Sequence, residues 1–289
     1  MLSLWNILEH DSEPIKIVDV GAMILDSNPP EYHALLKPGV SKLIGFEPNE
    51  QECRKLNESC NDDSSYLPYF IGDGSERKFN LCKYNATSSL YESNMNLLEK
   101  FQNLAELCEL IETSAVSTMR LDDIDQVKGA DYLKIDVQGA EVDVFNGAEN
   151  LLSEIMIIHT EVEFVPIYID QPLFAEVDHI LRKNGFLFHK FFGISGRCFK
   201  PFVINENINE RMSQMLWSDA IYVKSFMDFD SISPEKLFKL AVILHDVYLS
   251  YDMVYNILQH YDKQKKTEYA KQYISIFSQN AQSCVIQLV

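Results

Sequence analysis

Five ionisable side chains fall near the ends of two β-like runs in the middle of the sequence. They are Lys134 and Asp136 in the run at 131–137, and His159, Glu161 and Glu163 in the run at 154–163. Because side chains alternate between the two faces of a strand, each set shares one face. If the two strands are neighbours, the five side chains converge on one cleft. A base there could take a proton from a hydroxyl or amine, and an imidazole with carboxylates could bind a divalent metal. A structural ion-pair network is the alternative.

The first β-like run ends in residues that suit an adenosine ligand. Asp19 lies at its end, Gly21 and Ala22 form the turn, and Glu47 ends the second run, 26 residues beyond that glycine. In open α/β sheets, ligands bind beyond the carboxyl ends of the strands, where an acid can accept hydrogen bonds from ribose hydroxyls. The turn Gly72-Asp73-Gly74 follows the third run, and we expect it at the same rim.

The first turn lacks the glycine pattern of a dinucleotide site. The pattern G-x-G-x-x-G allows a pyrophosphate to sit on a helix N-terminus. Here the glycine is followed, after Ala22, by the bulky residues Met23, Ile24 and Leu25. The turn therefore favours a ligand with adenosine but no pyrophosphate, and S-adenosylmethionine is the leading candidate.

Short β-rich runs alternate with helical patterns through the first two-thirds of the chain, which is typical of parallel βαβ units. The β-like runs are 15–20, 42–47, 66–71, 131–137, 154–163, 185–192 and 219–225. The helical patterns include 49–59, 140–152 and 172–184. No convincing helix precedes the last run, so we expect an antiparallel final strand. The predicted fold class is α/β, a doubly wound sheet.

Two regions depart from this alternation. An insertion at 76–121 predicts a hairpin followed by an amphipathic helix at about 95–111. Near the C-terminus, Ser233-Pro234 is an N-cap followed by proline at the first helical position, and it opens the first of three helical stretches. The apolar side of residues 237–248 is expected to pack on the α/β domain or on another copy of the chain.

These patterns divide the chain into three regions. The predicted regions are an N-terminal segment at 1–14, an α/β domain at 15–228 and a C-terminal helical appendage at 229–289. The sequence assigns no role to the appendage.

The composition excludes several partners. The chain carries 25 Lys and Arg against 43 Asp and Glu, a net charge of −18, which disfavours binding to nucleic acids or anionic membranes. Its six cysteines form no C-x-x-C pair, which favours free thiols. No Lys or Arg precedes Lys16, and no run of 18 apolar residues occurs, so we expect neither a secretory signal nor a membrane span. These features predict a cytoplasmic protein.

A series of motifs resembles the FkbM family of S-adenosylmethionine-dependent methyltransferases. The motifs are VDVGA (18–22), GFEPN (45–49), GDG (72–74), ATSSLYE (86–92), MRLDDI (119–124), LKIDVQGAEVDVFNGA (133–148), TEVEFVPIY (160–168) and QPLFAEVD (171–178). The resemblance runs in order from about 15 to 225, and the block at 133–148 is its most specific part. The sequence departs from the family at residues 23–26, where Met-Ile-Leu-Asp replaces a more glycine-rich or Asn-containing turn.

The resemblance implies a Rossmann-like class I methyltransferase sheet with a final antiparallel strand. It also implies O-methylation, often of sugar hydroxyls in glycans, polysaccharides or natural products. The predicted cofactor-binding residues are Asp19, Gly21, Ala22, Glu47, Pro48, Gly72, Asp73, Gly74 and Asp136. The predicted catalytic residues are Asp136, His159, Glu161 and Lys134. The resemblance assigns Glu47 to the ribose and Asp73 to the turn near the adenine.

Other interpretations of the sequence remain open at this stage. A Y-x-x-x-K pair, Tyr261 and Lys265, is compatible with an NAD-dependent sugar oxidoreductase or epimerase, and a non-catalytic binding domain is a third class. Residues 86–91 form either a substrate lid or an ordinary loop. Lys190, Arg197 and Lys200 form a local basic patch for an anionic sugar, or a solvated loop. The expected partner is a small-molecule or glycan acceptor, and self-association through the C-terminal helices is a further hypothesis.

Overall fold

The computed structural model describes residues 3–8, 12–23 and 29–280. These residues form two compact units. The helical unit comprises the described residues within 1–15, 29–41 and 225–289, and the α/β unit comprises those within 16–28 and 42–224. The N-terminal segment and the C-terminal helices therefore belong to one unit, although they lie at opposite ends of the sequence.

The described residues contain ten strands and ten α-helices. The strands are β1 (Ile15–Val20), β2 (Ser41–Phe46), β3 (Ser64–Leu67), β4 (Phe70–Ile71), β5 (Glu76–Cys82), β6 (Leu110–Met119), β7 (Tyr132–Ile135), β8 (Ile157–Glu163), β9 (Phe186–Ser195) and β10 (Trp217–Lys224). The helices are α1 (Leu4–Ile7), α2 (Glu50–Ser59), α3 (Met95–Leu98), α4 (Leu104–Leu107), α5 (Glu141–Asn146), α6 (Glu149–Glu154), α7 (Phe174–Lys183), α8 (Pro234–Asp246), α9 (Tyr251–Lys265) and α10 (Tyr269–Asn280). None of the helices in this part of the chain is long and apolar enough to cross a membrane.

Seven strands form a mostly parallel sheet in the order β3-β2-β1-β7-β8-β10-β9. Strand β10 runs antiparallel to both of its neighbours, β8 and β9. The α/β class and the antiparallel final strand predicted from the sequence are therefore confirmed. The order changes direction between β1 and β7, which is where open α/β sheets bind ligands.

Burial of both sheet faces explains why the central strands are nearly continuous apolar runs. In β1, Val18 and Val20 are buried, and in β7 Leu133 and Ile135 are fully buried. They share one core with apolar residues of the helices that follow β7 and β8. A parallel strand covered on both faces needs this apolar pattern, so the charged residues near the strand ends have a reason other than sheet packing.

The third β-like run, 66–71, is not one strand. Its first part pairs with β2 in the large sheet as β3, and its last two residues pair with β6 in a second sheet of order β4-β6-β5. The change occurs at Pro68-Tyr69, because proline cannot donate a ladder hydrogen bond. The turn at Gly72 therefore follows the small sheet and not the large one.

The prediction for the insertion was wrong in two respects. Strand β5 pairs with the distant strand β6, from Glu76 opposite Ser117 onward, and makes only an isolated bridge, Asn80 to Ser89, with the nearby chain. The amphipathic helix at 95–111 is two single turns, α3 and α4, with Asn103 between them in the left-handed conformation (φ 60°). Residues Leu110–Met119 are rich in Thr, Ser and β-branched residues, and they extend as β6.

The helix predicted at 140–152 is interrupted at Gly147, which separates α5 from α6. A Cβ atom added to Gly147 would lie 2.0 Å from the carbonyl oxygen of Gly72. Glycine is required here because the backbone of the small-sheet turn occupies the space that a side chain would need. This contact joins the turn after the small sheet to the junction between α5 and α6.

In the helical unit, α8 begins as the sequence predicts. Ser233 Oγ accepts a hydrogen bond from the Lys236 backbone N–H, and Pro234 is the first helical residue. The residues from Leu237 to His245 are all buried, and α8 contacts α1, α9 and the 3-10 helix at Glu31–Leu35. The apolar face of α8 is therefore covered by elements of its own unit.

We expect Gly147→Ala to destabilise the protein by about 1–3 kcal/mol, because the added methyl group overpacks against Gly72. Gly147 has a φ of −89°, so the loss would be steric and not conformational. Gly129→Ala is the matched control, since Gly129 has a φ of +77° but no atom within 4 Å of its Cβ position. Urea unfolding measures both. A loss for Gly147→Ala no larger than that for Gly129→Ala would contradict the close contact.

Candidate active site

A cavity of about 330 Å³ lies at the carboxyl ends of β1, β2 and β7 in the α/β unit. This volume is within the range of small-molecule sites in proteins. Its walls are formed by Val20, Gly21, Met23, Phe46, Glu47, Pro48, Asn49, Tyr69, Phe70, Ile71, Phe79, Leu81, Asn85, Ala86, Ser88, Ser89, Leu90, Lys134, Asp136, Val137 and Gln138. The lining therefore combines aromatic and aliphatic surface with a few carboxylates, amides and hydroxyls.

The first turn is held tightly against the neighbouring strands. The backbone N–H groups of Gly21 and Ala22 both donate to the carbonyl oxygen of Phe46, at 3.1 and 3.0 Å. Gly21 has a φ of +84°, and a Cβ there would lie 2.0 Å from the Asp136 carbonyl oxygen. Only glycine fits both conditions. The end of β1 is thereby packed against the end of β7, which brings the turn and Asp136 to the same cavity.

Glu47 is buried at the end of β2 with one carboxylate oxygen engaged. Its Oε1 accepts a hydrogen bond of 2.7 Å from the backbone N–H of Asn49, whereas Oε2 accepts none from the described residues. Burial raises the pKa of the Glu47 carboxyl, and the Asn49 hydrogen bond opposes that shift. Asn49 also caps α2 through the N–H groups of Gln51 and Glu52, so the turn that carries Glu47 is fixed.

Aromatic rings form the wall beside Glu47. The rings of Phe46 and Tyr69 are stacked with their centroids 6.5 Å apart, and those of Phe70 and Phe79 are tilted with centroids 5.0 Å apart. Such surfaces bind planar apolar ring systems. Sequence reasoning did not identify these residues. The aromatic pair Tyr69-Phe70 within the third β-like run was the signal that could have found them.

Asp136 and Glu161 are linked by a residue that the sequence analysis did not single out. Gln138 Nε2 donates to Asp136 Oδ1 and to Glu161 Oε2, both at 2.8 Å. Gln138 lies in the turn after β7 in the left-handed conformation, with a φ of 55°. The position of this polar residue, directly beyond the carboxyl end of a central strand, was the available signal.

Two more carboxyl groups lie behind this pair. Glu141 Oε1 accepts from the backbone N–H groups of Val137 and Gly139, each at 3.2 Å, and burial raises the pKa of Glu141 to about 7. Burial raises the pKa values of Glu161 and Glu163 well above the ordinary range, and the nearby carboxylates reinforce the shift. At neutral pH the cluster therefore retains protons that exposed glutamates would have lost.

The loop at 85–91 is fixed over the cavity by three contacts. Ser89 Oγ donates to the Gln138 carbonyl oxygen at 2.6 Å, and the Tyr168 hydroxyl lies 3.0 Å from the Thr87 carbonyl oxygen. Asp143 Oδ2 lies 2.5 Å from Arg77 Nη1 and 3.1 Å from the Tyr91 hydroxyl. These contacts tie the insertion to the elements that follow β7 and β8.

The structure brings some of the predicted site residues together and not others. The predicted residues that line the cavity are Gly21, Glu47, Pro48, Lys134 and Asp136. Those outside its lining are Asp19, Ala22, Gly72, Asp73, Gly74, His159 and Glu161. Glu161 is connected to the lining through Gln138, and Asp19 Oδ1 lies 3.8 Å from Lys134 Nζ.

His159 and Asp73 occupy different surroundings. His159 is buried with Nε2 at 3.3 Å from Asp219 Oδ1, and the Phe192 ring meets the imidazole edge-on at 5.9 Å. Asp73 accepts from the Ser75 N–H and hydroxyl, and the hydroxyl contact lowers the pKa of the Asp73 carboxyl. His159 and Asp73 therefore each contact a neighbouring residue outside the cavity lining, and their functional roles remain predictions.

The remaining candidates lie elsewhere. Tyr261 is buried in α9 of the helical unit, where its ring stacks on Tyr269 at 5.4 Å, so the Y-x-x-x-K pair is not in the lining of the α/β cavity. Arg197 stacks over the Trp217 ring, and Lys200 pairs with Glu106 at 3.3 Å. Within 3–8, 12–23 and 29–280, no group of three or more His, Cys, Asp or Glu side chains is arranged to hold a metal ion.

A mostly parallel sheet in which the antiparallel strand β10 lies between β8 and β9, together with a cavity where the strand order changes direction, defines an α/β protein with a ligand cavity at its switch point. The family model described as the methyltransferase FkbM domain matches residues 19–188, which is more than half of the chain. The chain belongs to this family. The family resemblance stated from the sequence motifs is confirmed.

A comparison with solved structures found similar chains. Magnesium protoporphyrin IX methyltransferase from Synechocystis PCC 6803, solved with bound SAM, is 11% identical with a TM-score of 0.36, covering 76% of this chain and 75% of its own. A protein assigned as a methyltransferase from Thermoplasma acidophilum is 10% identical with a TM-score of 0.33, covering 74% and 70%. A structure described as the complex of the Haloferax volcanii Trm112 methyltransferase activator with a methyltransferase is 11% identical, with a TM-score of 0.36. The match covers 76% of this chain and 87% of that one. The comparison with curated proteins found no match.

The raised pKa of Glu141 predicts a pH dependence of stability. With a pKa of about 7 against the ordinary value of 4.5, the folded protein binds more protons than the unfolded chain between these pH values. The free energy of unfolding should therefore fall as the pH rises from 4.5 through 7. Relative to Glu141→Gln, which removes this titration, wild type should lose about 1–3 kcal/mol over that interval.

Urea unfolding at several pH values measures this difference. Glu58→Gln is the control, because Glu58 is exposed on α2 and should show the wild-type dependence. Parallel curves for wild type and Glu141→Gln would show that Glu141 titrates normally.

Proposed function

We propose that this protein is an S-adenosylmethionine-dependent methyltransferase that methylates a sugar hydroxyl in a glycan, a polysaccharide or a small glycosylated metabolite. The observation that carries the proposal is buried Glu47, whose Oε2 accepts no hydrogen bond from the described residues and which lies beside an aromatic wall in the cavity. Membership of the methyltransferase FkbM domain family supports the reaction type.

The cavity lining fits the chemical parts of this cofactor. Glu47 Oε2 would accept hydrogen bonds from the ribose hydroxyls, and the rings around Tyr69 and Phe79 would pack on the adenine. The Gly21 turn, which carries no pyrophosphate pattern, would hold the methionine side. The carboxylates near Asp136 suit a positively charged sulfur. When bound, S-adenosylmethionine supplies an electrophilic methyl group on a sulfonium.

The chain's own residues would then position the acceptor and remove its proton. Asp136 lines the cavity at the end of β7 and is the best-placed base for an acceptor hydroxyl. Glu161, whose raised pKa favours its protonated form, would act as a hydrogen-bond donor to the same region. Lys134, at 3.8 Å from Asp19, adds a positive charge that favours the ionised form of nearby carboxyls.

The proposed acceptor class rests on the insertion loop. Asn85, Ser88 and Ser89 line the cavity; the Ser88 and Ser89 hydroxyls bond to the Cys82 N–H and the Gln138 carbonyl oxygen, so the Asn85 amide is the group of this loop that would meet an acceptor. Groups of this kind hydrogen-bond to polyhydroxylated ligands. The fixed loop at 85–91 would also exclude water from the transferring methyl group. A requirement for a divalent metal, the cytoplasmic location and self-association remain predictions from the sequence.

Calorimetry tests the cofactor. Wild type should bind S-adenosylmethionine and S-adenosylhomocysteine and should not bind NAD with comparable affinity. Glu47→Ala should weaken the binding of both sulfur ligands by about 1–3 kcal/mol, because their ribose hydroxyls lose a buried acceptor. Glu58→Ala, an exposed change on α2, should leave the affinity unaltered. Preferential binding of NAD would contradict the proposal.

A methyl-donor screen against glycans, glycosides and sugar nucleotides tests the acceptor class. Once an acceptor is found, Asp136→Asn should lower kcat by about 10²–10⁴-fold, since the base is lost while the shape is kept. Asp125→Asn, an exposed change, is the control. Full turnover by Asp136→Asn would remove Asp136 as the base. Parallel assays with a chelator and with added Mg²⁺ or Mn²⁺ decide whether a metal is required.

A further inference from the structure

Gln138 holds two acidic side chains with a single amide group. Its Nε2 carries two hydrogens, and it lies 2.8 Å from Asp136 Oδ1 and 2.8 Å from Glu161 Oε2. One N–H is therefore available for each carboxyl group. No other side chain in the described residues donates a hydrogen bond to both carboxyls, so Gln138 sets their spacing.

The other end of the amide is held as well. Gln138 Oε1 lies 3.0 Å from the Tyr168 hydroxyl, which is buried and also lies 3.0 Å from the Thr87 carbonyl oxygen. The single phenolic O–H is shared between the Thr87 carbonyl oxygen and Gln138 Oε1, and the two carboxyl oxygens that Nε2 meets are acceptors, so they favour the orientation in which Nε2 faces the two acids. The backbone is held too, since Ser89 Oγ donates to the Gln138 carbonyl oxygen.

The backbone conformation of Gln138 is a further constraint on the position of its side chain. A φ of 55° is unfavourable for a residue with a side chain, and such strain is retained where the surroundings enforce it, often at functional sites. Gly139 follows with a φ of 95°, and the two residues together turn the chain from β7 into α5. This turn directs the Gln138 side chain back toward the acids and not into solvent.

We propose that Gln138 is the positioning residue of the methyl-transfer site: it orients Asp136 toward the acceptor, separates it from Glu161, and couples both to the insertion loop through Tyr168 and Ser89. This inference rests on the proposed function. Asp136 accepts the acceptor proton while the acceptor oxygen takes the methyl group, and the electron pair of the broken carbon–sulfur bond stays on sulfur. The N–H donated to Oδ1 holds the Asp136 carboxyl group in one orientation.

Other charged groups lie around Gln138 and its two acids and contribute to the electrostatic potential there. Around Glu161 they are Asp136 at the end of β7, Glu141 on α5, Glu163 on β8 and Asp219 on β10. Tyr168, beyond the end of β8, faces the same two glutamates of β8. Lys134 on β7 is the basic residue in the cavity lining. With so many acids close together, a neutral donor between two of them favours their ionised forms, and its loss should be felt most when they are ionised.

The first experiment needs neither cofactor nor acceptor. In Gln138→Met, which keeps the side-chain length and removes both N–H groups, the loss in Tm relative to wild type should grow by several degrees from pH 5.5 to pH 8.5. A role in packing alone would give the same loss in Tm at every pH and would overturn the proposal. Asn57→Ala, which removes an amide bonded to the backbone of Cys53 and Tyr66, is the control with a pH-independent loss.

The second experiment uses the acceptor identified by the methyl-donor screen. Gln138→Met should shift the acidic limb of the kcat profile upward by about one pH unit, with kcat recovering at high pH and S-adenosylhomocysteine affinity changed less than threefold. Tyr168→Phe should shift the limb in the same direction by a smaller amount. Gln138→Glu, which places a third carboxyl between the two, should shift it furthest.

The two proposals fail in different ways. Wild type that turns over, with a Gln138→Met profile lowered equally at all pH values, overturns the role of Gln138 and leaves the methyltransferase intact. Wild type that binds no sulfur ligand overturns both.

Discussion

The site depends on the close approach of two backbones at the centre of the large sheet. The Asp136 N–H donates to the Val20 carbonyl oxygen at 3.0 Å, and the Cα of Gly21 lies where a side chain would collide with the Asp136 carbonyl. This contact fixes the relative height of the ends of β1 and β7. The turn after β1, Glu47 at the end of β2 and Asp136 all take their positions from it, because the Gly21 and Ala22 N–H groups also bind Phe46 at the end of β2. A side chain at position 21 would separate the parts of the cavity from one another.

A second constraint is electrostatic. The protein buries four carboxyl groups around the end of β7 and β8, and burial of unpaired charge is costly. Retained protons lower that cost, and so do neutral donors, namely backbone N–H groups for Glu141 and the Gln138 amide for Asp136 and Glu161. The formal net charge of −18 counts every carboxyl group as ionised, so the protons that this cluster retains at neutral pH make the folded protein less negative than that count. Such a site is well suited to a cationic ligand and poorly suited to an anionic one.

Local sequence patterns predicted more of the fold than of the site. The strands that alternate or are wholly apolar, the glycine after β1 and the Ser233 cap each have a local physical cause, and the sequence located them. The structure of the insertion has no such local cause. Strand β5 pairs with the distant strand β6 and not with the adjacent chain, so no short-range sequence pattern could predict this pairing. For the same reason Gln138 and the aromatic wall were missed, since their meaning comes from what the insertion and β8 bring to them. His159 shows the opposite case: its strand and face were predicted, but Asp219 and Phe192 on other strands determine its surroundings.

The helical unit has a consequence for the order in which the chain folds. Leu4 donates its backbone N–H to Asp246 Oδ1, Ser3 donates its hydroxyl to the same carboxylate, and the 3-10 helix at Glu31–Leu35 contacts α8. These contacts join residues separated by about the whole α/β unit, and such long loops are slow to close. During synthesis, the first residues of the chain must wait for α8 before they can bury Leu4. The α/β unit, whose described strands are complete by Lys224, can therefore assemble first, and its final strand emerges shortly before the helices on which the N-terminus depends.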